Sequence, residues 1–169
     1  MIVEVLHERQ ADIAAVRSIN ERAFGGLVEA QIVDRLRGCA GSISLVAIVK
    51  SRVVGHIFFT PVEVEGIEAE KAFAGLGPMA VDPDSQRLGI GSALVRRGLR
   101  ECESLGYGLV VVVGHPEFYP RFGFVPAASK GLRFERDVPA EAFMALELGA
   151  DTFTGSTGVV KYHPEFWTV

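Results

Sequence analysis

Leu76 to Leu105 read LGPMAVDPDSQRLGIGSALVRRGLRECESL, and the pattern of this stretch changes twice. Leu76 to Val81 is a short apolar run, the signature of a buried strand. Asp82, Pro83, Asp84 and Ser85 interrupt it with turn chemistry. Apolar residues then return at helical spacing, at Leu88, Leu94, Val95, Leu99, Cys102 and Leu105, which predicts a helix from Leu88 onward. Between strand and helix lies Gln86-Arg87-Leu88-Gly89-Ile90-Gly91, with two glycines where the helix begins.

The first turn of a helix leaves about four backbone amides without intrahelical acceptors. Together with the helix dipole they make a ready site for an anion. Glycine inside a helix is less stable than alanine by roughly 0.5–1 kcal/mol, so two of them here suit something that approaches the backbone closely. A pyrophosphate fits, and Arg87 adds a cation at the same place. Tight packing of a glycine-rich helix start against its neighbours is the alternative that spacing leaves open.

A P-loop would need lysine after the second glycine, where this chain has Ser92. A dinucleotide-binding fingerprint would need a third glycine where this chain has Leu94. The pattern Q-x-x-G-x-G, preceded by an apolar strand and a D-P turn, instead resembles the acetyl-CoA loop of the GNAT N-acetyltransferase superfamily. A second block, Phe118-Tyr119-Pro120-Arg121-Phe122-Gly123-Phe124, resembles the short helix and following strand of the same family. The two blocks stand in the family's order. The resemblance implies an α+β (mixed α/β) fold, the acyl-CoA N-acyltransferase fold, with a mostly antiparallel, splayed central sheet flanked by helices. Residues 1–169 would form one such domain.

Length and composition agree with a single soluble globular domain: 169 residues, 49% hydrophobic and 22% charged. Seventeen basic against 21 acidic residues leave a net charge of −4, which argues against nucleic acid as the main partner. The basic run Arg96, Arg97 and Arg100 suits the later part of a solvated helix. The opening residues MIVEVLHERQ carry acid and lack a signal peptide's apolar stretch, and no apolar run is long enough to span a membrane. A cytoplasmic protein is expected. Cys39 and Cys102 show neither CxxC nor metal spacing, and Cys102 falls on the apolar side of the central helix, so no metal is expected.

In chain order, Ile2 to Leu6 reads as a strand, followed by helices over Ala11 to Phe24 and Leu27 to Arg37 with Gly25-Gly26 between them. Ser44 to Lys50 and Val53 to Glu65 read as strands joined by a tight Ser51-Arg52 connection, and Leu45 to Val49 is apolar enough for burial on both faces. His56, in mid-strand, suits a packed or hydrogen-bonded sheet residue better than a catalytic one. Gly77-Pro78 marks an edge or a bulge in its strand. Gly108 to Val113 reads as a central strand and Glu117 to Phe122 as a short helix. Beyond Ala127 the pattern is less regular. Gly131 to Asp137 looks like a charged loop, and Glu141 to Leu148 and Gly158 to Tyr162 read as strands around a turn at Asp151 to Thr157.

The family resemblance also implies site residues. Acetyl-CoA would lie on Gln86, Arg87, Leu88, Gly89, Ile90, Gly91 and Ser92, its pantetheine along Met79, Ala80 and Val81, with Tyr119 and Phe122 on the same side. Tyr119 matches the family's tyrosine in Y-x-x-x-G-F and would be the general acid that protonates the leaving sulfur. The family's glutamate in the strand before the phosphate loop has no counterpart, since Ala72 to Val81 contains no acid. His115, Glu29 and a water chain remain as routes for the amine's proton. Phe24, Glu29 and His115 would face the acceptor, a small-molecule amine. Late strands often form dimer contacts in such folds, so a homodimer stands open. The competing readings are an acyl-CoA sensor without turnover and a protein or peptide N-acetyltransferase.

Overall fold

A computed structural model describes residues 1–150 and 157–169 of the chain. The elements run β1 (Glu4–His7), α1 (Ile13–Phe24), α2 (Val28–Leu36), β2 (Ile43–Val49), β3 (Arg52–Glu65), β4 (Phe73–Val81), α3 (Ile90–Ser104), β5 (Leu109–Val113), β6 (Val125–Pro126), β7 (Leu132–Phe134), β8 (Phe143–Glu147) and β9 (Gly158–Lys161). The sheet has the strand order β1-β2-β3-β4-β5-β8-β6, with β9 pairing the far end of β3 and also β7. Its pairs are antiparallel except β4–β5 and β7–β9, which are parallel. This is the mixed, mostly antiparallel architecture that the family resemblance implies.

Alternation along the central strands places helices on both faces. Leu45, Ala47, Ile57 and Phe59 point to one side, where Ile90, Leu94, Val95 and Cys102 of α3 complete a core. Val46 and Phe58 point to the other, where they meet Val16 of α1 and Ile32, Val33 and Leu36 of α2. Leu45, Val46 and Ala47 are fully buried, as expected for a strand covered on both faces. Cys102 is buried too, and burial pushes its thiol up to about 12, so it is inert core.

Several details differ from the sequence expectation. The β2–β3 turn is centred on Lys50 and Ser51, both with positive φ, rather than on Ser51-Arg52. Leu88 and Leu105, which share the helical spacing, are 55% and 59% exposed, because α3 begins only at Ile90 and ends at Ser104. Within the expected loop Gly131 to Asp137, Leu132–Phe134 forms β7, held by parallel pairing to β9. Such pairing is set by a distant strand and leaves no local signal. Of the expected turn at Asp151 to Thr157, residues 151 to 156 lie outside the described residues.

One feature of the sheet controls the site. β4 pairs with β5 from Phe73↔Leu109 to Leu76↔Val112 and no further, while it stays paired with β3 as far as Val81↔Gly55. The β3–β4 register shifts opposite Gly77-Pro78, between Ile57 and Phe59, so the expected bulge is present. Where the strands part, the buried Tyr162 hydroxyl lies 3.1 Å from the Leu76 carbonyl oxygen and 3.2 Å from that of Val111, and its one proton serves both. Gly75 admits the ring: a Cβ there would sit 2.7 Å from Tyr162 Cζ. Burial pushes the Tyr162 phenol well above its ordinary range.

His56 is fully buried in a polar network and has no access to the site. Asn20 Nδ2 donates to His56 Nδ1 at 3.2 Å, and His56 Nε2 lies 2.8 Å from Ser44 Oγ, which in turn donates to Glu8 Oε1. This arrangement holds a neutral imidazole with its proton on Nε2. Burial, with the Arg37 charge second, lowers its pKa from 6.5 to about 3.

Between those two values the unfolded chain binds a proton that the folded chain refuses, so stability is lost as pH falls from 6.5 toward 3. The His56 contribution reaches about 1.4 kcal/mol per pH unit, and urea unfolding of His56→Gln should show a correspondingly flatter dependence across that window. Tyr162→Phe leaves two buried carbonyls without their donor and should lower the unfolding free energy by about 1–3 kcal/mol, read from urea midpoints.

Candidate active site

The α3 N-terminus is left open by its own residues. Gly89 is its N-cap, with φ of 84°, a conformation that favours glycine, and no side chain caps the helix. The first intrahelical bond runs from the Ala93 N–H to the Gly89 carbonyl at 3.1 Å. The amides of Ile90, Gly91 and Ser92 therefore have no acceptor within the helix. A Cβ at Gly91 would meet nothing closer than the Phe118 ring at 3.5 Å, an ordinary contact. The protein's own packing therefore does not require glycine there.

Cations surround this end. Arg87 is exposed, Arg121 lies over the Phe118 ring at 4.8 Å, and Arg96 lies over Phe122 at 5.3 Å. Free amides, a helix dipole and three guanidiniums fit a diphosphate-bearing cofactor. Gln86 Nε2 donates to the Val81 carbonyl at 3.1 Å, which ties the loop back to the end of β4. Phe122 packs edge-on to Phe118 at 5.1 Å and backs this wall.

From Gln86 and Arg87 a groove of about 710 Å³ runs along Met79, Ala80 and Val81 to Tyr119. These three residues stand past the end of the β4–β5 ladder, so the β5 side of their backbone is unpaired. A second cavity of about 510 Å³ opens beyond the parted strands toward α1 and α2. Phe24, Met79, His115 and Tyr119 line both cavities, and Glu29 lines the second. The structure thus brings Tyr119 and His115 to the same chamber as Glu29 and Phe24, from two distant parts of the chain.

Their environments differ. Tyr119 is 6% exposed, packed edge-on against Phe118 and Phe124, and burial pushes its phenol up to about 12. It keeps its proton throughout the neutral range, as a proton donor must. His115 is exposed at the end of β5, and Glu29 is half-buried in the first turn of α2. Asp82, at the end of β4 just before the loop, is committed elsewhere. Both Arg22 terminal nitrogens donate to its carboxylate at 3.0 Å, which holds its pKa below the usual range and anchors α1 to the end of β4.

The second cavity also has walls that sequence reasoning missed. Phe134, Arg136, Tyr162, Phe166 and Trp167 line it, all from the region beyond Ala127. Phe166 and Trp167 belong to a short 3-10 helix, Pro164–Trp167. Their placement depends on β9 pairing with the far end of β3, which no local pattern foretells.

Comparison with known proteins gives this geometry a family. The Acetyltransferase (GNAT) domain matches residues 5–127. The uncharacterized N-acetyltransferase YhbS of Escherichia coli is 33% identical over 169 residues, covering 98% of each chain. Another E. coli protein, the uncharacterized N-acetyltransferase YjhQ, is 35% identical over 136 residues, or 78% of this chain and 75% of its own. The crystal structure of YhbS in complex with CoA superposes with a TM-score of 0.88, covering 97% of this chain and 91% of that one. A GNAT family acetyltransferase from Brucella melitensis, in complex with acetyl-CoA, is 35% identical with a TM-score of 0.78, covering 98% of each chain. With the family match, the full-length likeness and the parted sheet in agreement, the chain belongs to the GNAT family of N-acetyltransferases.

Proposed function

We propose that the protein moves the acetyl group of acetyl-CoA to the primary amine of a small-molecule acceptor, with both reactants bound at once on either side of Tyr119. The observation that carries this reading is the meeting of two cavities at Met79, His115 and Tyr119. The relatives crystallised with CoA and acetyl-CoA support the cofactor. The volume of the second cavity, about 510 Å³, suits a small molecule.

Acetyl-CoA supplies an activated acetyl thioester: a nitrogen–carbon bond replaces the carbon–sulfur bond, the nitrogen loses one proton and the sulfur gains one. The chain's residues provide the rest. Ile90, Gly91 and Ser92 offer amides to the diphosphate, and Arg87 adds charge. The unpaired edge of Met79, Ala80 and Val81 receives an extended arm as a sheet edge receives a strand. A backbone N–H at Met79 or Ala80 polarises a carbonyl held against it, an effect worth about 10²–10³ in rate for one donor. Fixing both reactants across the gap converts their encounter into a step within one complex. Tyr119 Oη holds the proton to be given, and His115, exposed at the same wall, takes the one released.

Gly91→Glu places a carboxylate among the free amides, so CoA binding measured by calorimetry should be lost while the melting transition stays cooperative. Unchanged CoA affinity in this variant would overturn the loop assignment. Tyr119→Phe should bind CoA normally yet lower turnover by about 10²–10⁴, followed by thiol release over a panel of amines. His115→Ala should lower turnover across a pH 6 to 9 series. Full activity across that series would remove His115 from the mechanism. A protein that binds acetyl-CoA but releases no CoA with any amine would be a sensor.

A further inference from the structure

The chamber beyond Tyr119 has an aromatic wall supplied by the C-terminal part of the chain. Phe134 packs edge-on to Tyr162 at 5.5 Å and to Trp167 at 6.1 Å, and Tyr162 meets Phe166 at 5.0 Å. With Phe24 opposite, these rings suit an apolar or aromatic body and exclude water from around it.

Two charged residues interrupt this lining, and they have opposite signs. Glu29 reaches the chamber from α2 and Arg136 from just beyond β7. Among the described residues neither forms an ion pair or a side-chain hydrogen bond. Arg9, Arg17, Arg22, Arg35, Arg37 and Arg97, by contrast, each pair with a carboxylate. The Arg136 guanidinium lies 4.2 Å from the centre of the Trp167 ring, so it is stacked on the aromatic wall while its N–H groups stay uncommitted. A guanidinium held in that way is suited to receive a carboxylate in a bidentate pair. A half-buried carboxylate without a partner, in the same chamber as Tyr119 and His115, attracts an ammonium group.

We propose that the acceptor is an amino carboxylic acid with a large apolar or aromatic side chain. Its ammonium lies by Glu29, its carboxylate on Arg136, and its side chain against Phe134, Phe166 and Trp167. The fate of its amine rests on the acetyl-transfer reading above, whereas its binding does not. The same three contacts select against a bare aromatic amine, which lacks the group Arg136 receives. They also select against a peptide N-terminus, whose neighbouring carboxyl is an amide.

The test is calorimetric titration of the full chain, with and without CoA, by phenylalanine, tryptophan and leucine, each compared with its amide and its decarboxylated amine. Losing one charge-assisted pair predicts binding about tenfold to a hundredfold weaker for the amide and the amine. That ratio should fall to about one in Arg136→Gln and persist in Arg133→Gln, a change of an exposed arginine outside the chamber. Amides or amines that bind the wild-type protein as tightly as the amino acids overturn the proposal. So does the absence of binding by all three amino acids, or an unchanged ratio in Arg136→Gln. Thiol release from acetyl-CoA then separates the two readings. Amino acids that bind with the expected discrimination but release no thiol overturn acetyl transfer and leave the binding assignment standing. Thiol release with other amines, and no binding of amino acids, does the reverse.

Discussion

Two neighbouring strands, β4 and β5, pair from Phe73 to Leu76 and then separate, and every property of the site uses the gap between them. A sheet ordinarily closes such a gap, because unpaired backbone groups in a buried position are unfavourable. Here the parting is held from two directions. The bulge at Gly77-Pro78 shifts the register on the β3 side. The Tyr162 hydroxyl satisfies the Leu76 and Val111 carbonyls at the point where the ladder ends. The aromatic ring occupies the space that Gly75 leaves, and its hydroxyl gives two carbonyls at the end of the ladder a further donor. The rest of the β4 edge, Met79 to Val81, has no β5 partner.

The same gap orders the electrostatics. On one side lies a helix start with free amides and three arginines, an environment that favours negative charge. On the other lies an apolar chamber with a single carboxylate and a single guanidinium. Tyr119 sits on the shared wall, and burial alone keeps its phenol neutral. A neutral donor between a cationic groove and a mixed chamber keeps its proton on Oη throughout the working range. Three other buried titratable groups are disarmed: His56 is locked neutral in its network, Asp82 is held by Arg22, and Cys102 is pushed up to about 12.

Much of this was legible before the fold was seen, for a physical reason. The strand, D-P turn and glycine-marked helix start are local features, each dictated by residues within a few positions. Tyr119 could be singled out as one hydroxyl among Phe118, Phe122 and Phe124. Gly77-Pro78 marked the bulge because proline cannot join a ladder. What could not be read is what long-range pairing decides. Leu132–Phe134 looked like a loop because its partner is β9, and the Leu88 side chain, periodic with the helix, lies outside because Gly89 begins the turn. Arg136 resembled any surface charge. Only the fold shows it stacked on Trp167 at the mouth of a chamber.

The division of labour along the chain follows from these facts. The portion matched by the family, residues 5–127, contains β2 to β6, the start of α3 and Tyr119. Beyond it, β9 attaches to the free end of β3 at Glu63–Glu65, outside the length of β3 that pairs with β2 and β4. This attachment brings Tyr162 under the gap and Phe166 and Trp167 against the chamber without altering the cofactor groove. The side chains this segment adds to the second cavity are distinct from those of the groove, while Phe24 and Glu29 line that cavity from the matched portion itself. Tyr162 is the exception, because it both floors the chamber and caps the parted strands, so a change there is felt on both sides of the gap.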